Sequence, residues 1–146
     1  MKAFKNIFLS SLLLLTSNLI AQFDSDNFIG TWVLKKHFFA EKGTPKDIMD
    51  NKRELIYEFN KNGTYTQTSS YTWEGKKDTW VCKGKWKLTG KTITFSNNKF
   101  LPPNDQYNST LTTWALEAIS ISNNLLIIQE NLMETVKPGK SHYVKK

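Results

Sequence analysis

The alternation of apolar and polar residues is the feature that most constrains the fold of this chain. Between residues 79 and 88, alternate positions carry Trp80, Cys82, Gly84, Trp86 and Leu88, and lysine dominates the positions between them. Successive side chains of a β-strand point to opposite faces, so this segment predicts a strand with one apolar face. An open sheet would leave that face in water. Closure into a barrel buries it and removes the exposed edges.

The remaining chain divides into similar strands separated by turn residues. β-branched and aromatic residues enrich eight segments, at residues 29–39, 53–59, 64–73, 79–88, 92–96, 111–121, 125–136 and 141–145. Tight turns are predicted after the second, fourth and sixth segments, and longer connections after the first, third, fifth and seventh. In an up-and-down barrel the longer connections share one end, which predicts one sealed and one open end. Thr44 and Pro45 favour one short helical turn over residues 44–49.

The first 21 residues have the order of a secretory signal peptide. Lys2 and Lys5 precede an apolar run, and small and polar residues then lead to Ala21. The run is shorter than the about 20 residues that a membrane-spanning helix needs. No cysteine lies near the predicted cleavage site to accept a lipid. We therefore expect a periplasmic or secreted protein without stable membrane insertion, with one domain over residues 22–146.

The charged residues and the cysteine exclude some classes of partner. The net charge is +7, but the lysines are spread along strands and turns and Arg53 is the sole arginine, which predicts no nucleic-acid partner. Cys82 is the sole cysteine and cannot form an internal disulfide. It shares a strand face with Trp80 and Trp86, so we expect a small buried side chain rather than a reactive thiol.

No sequence motif indicates catalysis, and no metal or cofactor is predicted. Nucleophile-elbow, phosphate-loop and zinc-protease motifs are absent. His37 and His142 lie on the first and last strands, where Glu41 would be the nearest third ligand, and we expect both histidines to be exposed. Glu117 becomes a catalytic or ligand-orienting candidate if it faces the interior, which the surrounding residues leave open.

Three short motifs resemble those of lipocalins, in particular the small bacterial lipocalin-like domains. Phe28-Ile29-Gly30-Thr31-Trp32 resembles the Gly-x-Trp signature of the first strand, and residues 59–65 and 84–88 look like hairpins of that group. The resemblance covers residues 28–145 and implies an all-β, eight-stranded up-and-down antiparallel β-barrel. It also implies a basic residue over the Trp32 ring, and the basic residues near the last strand are Lys140, Lys145 and Lys146. The Thr-Asp-Tyr motif of larger lipocalins is absent, which weakens the inference of ligand transport.

Aromatic residues near the longer connections favour a binding site at the open end. The candidate ligand-binding residues are Phe38, Gln67, Tyr71, Trp73, Trp80 and Phe100. The leading hypothesis is a monomeric, non-enzymatic protein that holds a small hydrophobic molecule, with Gln67 and Tyr71 as hydrogen-bond donors. The alternative is a protein-interaction or inhibitor module with a solid barrel. A third hypothesis is a barrel enzyme that acts through Glu117 or the histidines.

Overall fold

The structure is a computed structural model that describes residues 23–39, 46–47, 53–102, 113–130 and 139–146. Its elements are α1 Ser25–Phe28, β1 Gly30–Phe39, β2 Lys46–Asp47, β3 Arg53–Phe59, β4 Thr64–Trp73, β5 Lys76–Thr89, β6 Thr92–Leu101, β7 Thr113–Ile121, β8 Leu125–Glu130 and β9 Gly139–Lys145. The predicted signal peptide, Glu41 and parts of the segments 44–49, 111–121 and 125–136 lie outside the described residues. Among those described, no helix is both long and apolar enough to cross a membrane.

Eight of the strands close into an antiparallel ring. From β3 to β9 each strand pairs with the next along the chain, and β1 pairs with both β3 and β9. The ring confirms the predicted eight-stranded up-and-down barrel. It buries the aromatic faces of the strands against one another, as the alternation of the sequence requires.

The short strand β2 replaces part of the predicted helical turn. Phe38 and Phe39 of β1 pair with Asp47 and Lys46 of β2, so residues 46–47 are extended and the prediction was wrong there. β3 pairs with β1 only as far as Val33. Further along β1, β2 pairs with Phe38 and Phe39 and so supplies partners for two positions on that side of the strand.

The connection after the third predicted strand is a tight turn instead of a polar loop. Glu74 and Gly75 have φ values of 47° and 77°, which suits a two-residue hairpin, and Trp73 pairs directly with Lys76. β5 therefore begins at Lys76, not at residue 79. β6 likewise continues to Leu101 beyond the predicted end at residue 96. The β4–β5 hairpin and the last part of β6 thus extend toward the open end of the barrel.

The opposite end is closed by an aromatic plug around Trp32. Phe28 of α1 and Trp32 are fully buried, and the indole Nε1 donates a 2.7 Å hydrogen bond to the Phe28 carbonyl. The ammonium of Lys145 lies 5.3 Å from the centre of the Trp32 ring, which confirms the expected basic residue. Gly30 has a φ of 129°, and a Cβ there would lie 2.8 Å from Cε of Lys145. The Gly-x-Trp pattern therefore makes room for the lysine over the indole.

Candidate functional site

Along β4, the inward-facing side chains become more exposed toward the open end. Tyr65 pairs with buried Phe59 and is only 1% exposed. Gln67 and Tyr71 follow on the same face and are half-buried, and Trp73 at the end of the strand is 59% exposed. The barrel interior is therefore filled near the closed end and accessible to solvent near the other.

The neighbouring strand β5 shows the same gradient. Cys82 lies opposite Gln67 and is 3% exposed, whereas Trp80 lies opposite Ser69 and is 42% exposed. Residues that pair directly across an antiparallel ladder share a face, so Trp80 belongs to the inward-facing set despite its exposure. Two indoles, those of Trp73 and Trp80, are thus accessible on the inner side of the same hairpin.

Five of the six predicted ligand-binding residues share this inward-facing surface. They are Gln67, Tyr71, Trp73, Trp80 and Phe100. Tyr71 and Trp73 stack nearly in parallel, with ring centroids 6.4 Å apart. Phe100 lies opposite Cys82 on β6 and packs against the buried core. We call these five residues the mouth surface.

Phe38 is the exception, because β1 contains an irregularity. The register of β1 against β9 shifts between Leu34 and Lys36. After the shift Phe38 pairs with exposed Lys140 on the outer face, and its ring lies 4.9 Å from that of His142. The structure therefore separates Phe38 from the mouth surface.

The same shift turns His37 into the barrel, where exposure was expected. His37 is 6% exposed, and its Nδ1 forms a 2.6 Å hydrogen bond with the hydroxyl of fully buried Ser141. If the alternation of Trp32 and Leu34 is continued past the shift, it places Phe38 inside and His37 outside, so the sequence pattern did not indicate the contact between His37 and Ser141. The sequence signal that could have revealed the inward position of His37 is the doublet Lys35-Lys36. Two consecutive lysines, both exposed in the structure, break the period of two.

The two histidines lie on opposite faces of the wall and form no common site. His142 points outward next to Phe38, and partial burial, with smaller contributions from Lys36 and Lys140, lowers its pKa below the usual value. Glu117 also points outward, exposed and opposite Thr92, so it is not the internal carboxylate that a barrel enzyme would need. The described residues contain no metal-binding cluster of histidine, cysteine or acidic side chains.

A buried polar cluster lies beneath the mouth surface. The Tyr65 hydroxyl donates a 2.6 Å hydrogen bond to Oδ1 of Asn98 and lies 3.3 Å from the Cys82 sulfur. Burial raises the pKa of Tyr65 strongly, with an added contribution from Cys82. Burial is also the main cause of the raised pKa of Cys82. The cluster thus keeps both groups neutral, and Cys82 is the small buried side chain that its position predicts.

We expect Cys82 to resist thiol reagents in the folded protein. Its thiolate is disfavoured and its sulfur is buried, so labelling by an aromatic disulfide at pH 8 should be at least about 100-fold slower than in guanidinium chloride. Because Cys82 is the only cysteine, the signal reports this site alone. Native labelling at the unfolded rate would contradict the buried cluster.

Comparison with known proteins identifies the fold. No family model and no curated protein sequence matches the chain. A solved lipocalin-like protein from Bacteroides uniformis is 18% identical, with a TM-score of 0.50, covering 82% of this chain and 99% of its own. An uncharacterized protein from Bacteroides eggerthii is 12% identical, with a TM-score of 0.48 and coverages of 81% and 98%. Japanin from Rhipicephalus appendiculatus, solved bound to cholesterol, is 14% identical, with a TM-score of 0.42 and coverages of 80% and 74%.

The first of these structures matches over nearly its whole length, and the ring of eight antiparallel strands agrees with it. The Gly30-Thr31-Trp32 motif and Lys145 occupy the closed end in the manner that the sequence resemblance implies. The chain has the lipocalin-like β-barrel fold.

Proposed function

We propose that this chain is an exported lipocalin-like protein that binds a small apolar molecule at the open end of its barrel, without catalysis. The observation that carries the proposal is the exposure gradient of the inward-facing residues, from buried Tyr65 to accessible Trp73 and Trp80. Solvent-accessible indoles on the concave side of a sheet favour burial of apolar surface from a ligand. The aromatic plug beneath them leaves the open end as the entry side.

Polar groups on the same surface favour a ligand that also carries a hydrogen-bonding group. Gln67 and Ser69 are half-buried neighbours of the indoles, on the inward positions of β4. Tyr71, which carries a hydroxyl group, occupies the next inward position toward the rim. An apolar body packed on the tryptophans, with one polar end directed to Gln67 or Tyr71, uses both sets of residues.

Tryptophan fluorescence tests the proposal, because the indoles differ in exposure. Trp32 and Trp86 are buried, whereas Trp73 and Trp80 are accessible. We expect a fluorescent fatty acid analogue, used as the probe, to shift the protein emission to shorter wavelength. Substitution Trp80→Ala should weaken probe binding about tenfold or more, since a buried aromatic contact contributes about 1.5–3 kcal/mol.

The matched control is Leu125→Ala. Leu125 is an exposed apolar residue at the turn between β7 and β8, at the closed end of the barrel. Its removal should leave probe binding unchanged. Equal effects of the two substitutions would show non-specific adsorption and contradict a site at the mouth.

Native mass spectrometry of the protein purified from its host tests ligand and export together. We expect a co-purified small molecule on a monomer whose mass lacks residues 1–21. The alternative function, a protein-interaction or inhibitor module, would use the exposed Trp73 and Trp80 against a protein surface. Bare protein that also leaves the probe unbound would support that alternative and contradict ligand binding.

A further inference from the structure

Four exposed lysines lie together on the outer wall of the barrel. Lys83, Lys85 and Lys87 occupy successive outward positions of β5, and Lys99 of β6 lies directly opposite Lys83. The positions of Lys83 and Lys87 are about 13 Å apart along the strand, and neighbouring strands are about 4.8 Å apart. Lysines that are spread along the sequence thus form one compact group, which we call the basic face.

The charge of the basic face is not neutralised by its described neighbours. Apart from Lys83 and Lys99, which face each other, the described residues opposite these lysines carry hydroxyl groups, as in Thr66 opposite Lys83 and Ser96 opposite Lys85. Glu58 of β3 lies on the far side of Thr66, and Glu117 of β7 lies opposite Thr92, so neither carboxylate is directly opposite a lysine of the basic face. Like charges directly opposite each other destabilise a sheet, so the pair Lys83 and Lys99 carries an electrostatic cost that an anionic partner removes.

An apolar residue borders the basic face on the side of the open end. Leu101 follows Lys99 by two residues, points outward opposite Val81, and is 46% exposed. Basic side chains next to an exposed apolar residue suit the boundary between anionic lipid headgroups and acyl chains. The outward positions of β5 and β6 that form this surface carry no arginine and no aromatic ring, which nucleic-acid recognition commonly uses.

We propose that the basic face of β5 and β6 docks on the surface of an anionic membrane, with the lysines at the phosphate groups and Leu101 at the headgroup boundary. The outer wall makes this contact, whereas the proposed ligand site lies on the inner side of the open end. The two proposals therefore stand or fall separately.

Sedimentation with lipid vesicles tests the docking. We expect the protein to bind vesicles of phosphatidylcholine that contain about one third phosphatidylglycerol at low salt, to dissociate as salt approaches about 0.5 M, and not to bind phosphatidylcholine alone. Failure to bind the anionic vesicles overturns the proposal. Tighter binding to a short DNA duplex or to heparin at the same salt concentration also overturns it, by assigning the face to another polyanion.

Charge substitutions locate the contact. Each lysine near an anionic surface strengthens binding about fivefold, so the double variant K83Q/K99Q should bind about 25-fold more weakly. The control K36Q/K140Q removes the same charge from exposed positions on β1 and β9, on the opposite side of the ring. It should change binding by less than about threefold.

A second variant keeps the test informative if the first folds poorly. K85Q/K87Q removes the other half of the basic face and should give a similar loss, with the fold of each variant checked by circular dichroism. Equal losses in the control and in the basic-face variants would indicate attraction by net charge alone. That result would overturn the assignment to this wall.

Discussion

Substitution Trp32→Ala should lower the free energy of unfolding by about 4 kcal/mol. The indole is fully buried, so alanine leaves a cavity at the closed end that the rigid strands cannot fill by collapse. The Phe28 carbonyl also loses its 2.7 Å hydrogen bond, and the Lys145 ammonium loses its aromatic partner. Because domains of this size are stable by only about 5–15 kcal/mol, the change removes a large part of the total.

Guanidinium denaturation followed by circular dichroism measures this effect. The matched control is Trp73→Ala, which removes the same side chain from a position that is 59% exposed. We expect the control to cost less than about 1 kcal/mol. If both variants lose the same stability, or if the Trp32 variant loses less than the control, the closed end is not the packed plug described above.

The barrel could be predicted from the sequence because its alternation is continuous over most strands. Along β5, Cys82 and Trp86 keep the period of two and mark the buried face without ambiguity. Turn residues such as Asn62-Gly63 fix where the chain reverses, and a closed ring is the arrangement that buries every such face. The expectation of a basic residue over Trp32 followed from the family resemblance, not from the alternation, and the structure selects Lys145 from the three candidate lysines.

Two irregularities explain what the sequence did not reveal. The register shift after Leu34 moves His37 inside and Phe38 outside. A second shift on β6, next to Asn97 with its φ of 53°, brings Phe100 to the inner face, so Phe100 joins the mouth surface as predicted although the alternation of Ile93 and Phe95 alone would turn it outward. A bulge inserts one residue and exchanges the two faces of everything after it, so a pattern followed across it assigns the wrong side.

The candidate site shows the same dependence on uninterrupted alternation. Gln67, Tyr71 and Trp73 lie on β4, which has no register shift, and the structure places them on one surface as predicted. Near the open end the alternation of apolar and polar residues is weak, because side chains at that end of β4 and β5 have few core residues to pack against. The polar residues after Glu74 therefore resembled a loop, although they continue β5.

Substitution Gly84→Ala should cost about 3 kcal/mol, although the backbone φ of Gly84 is outside the left-handed region. A Cβ there would lie 2.6 Å from both the Ser96 carbonyl oxygen and Oδ1 of Asn98, and 2.9 Å from the Tyr65 ring. Ser96 lies opposite Lys85 in the ladder between β5 and β6, so its carbonyl cannot retreat without disturbing the pairing. Overpacking of this kind costs about 1–3 kcal/mol, and the backbone contact places Gly84 at the upper end.

The matched control is Gly75→Ala, which isolates backbone strain from crowding. Gly75 has a φ of 77°, but a Cβ there would meet no atom within 4 Å, so we expect a cost of only about 1–2 kcal/mol. Chemical denaturation gives both values, and Cys82 labelling adds a local readout. Displacement of Tyr65 and Asn98 in the Gly84 variant should speed labelling, whereas the Gly75 variant should keep native protection, because its hairpin tip lies far from the cluster along β5. A Gly75 variant less stable than the Gly84 variant would show that strain at the turn outweighs the close packing of β5 against β6.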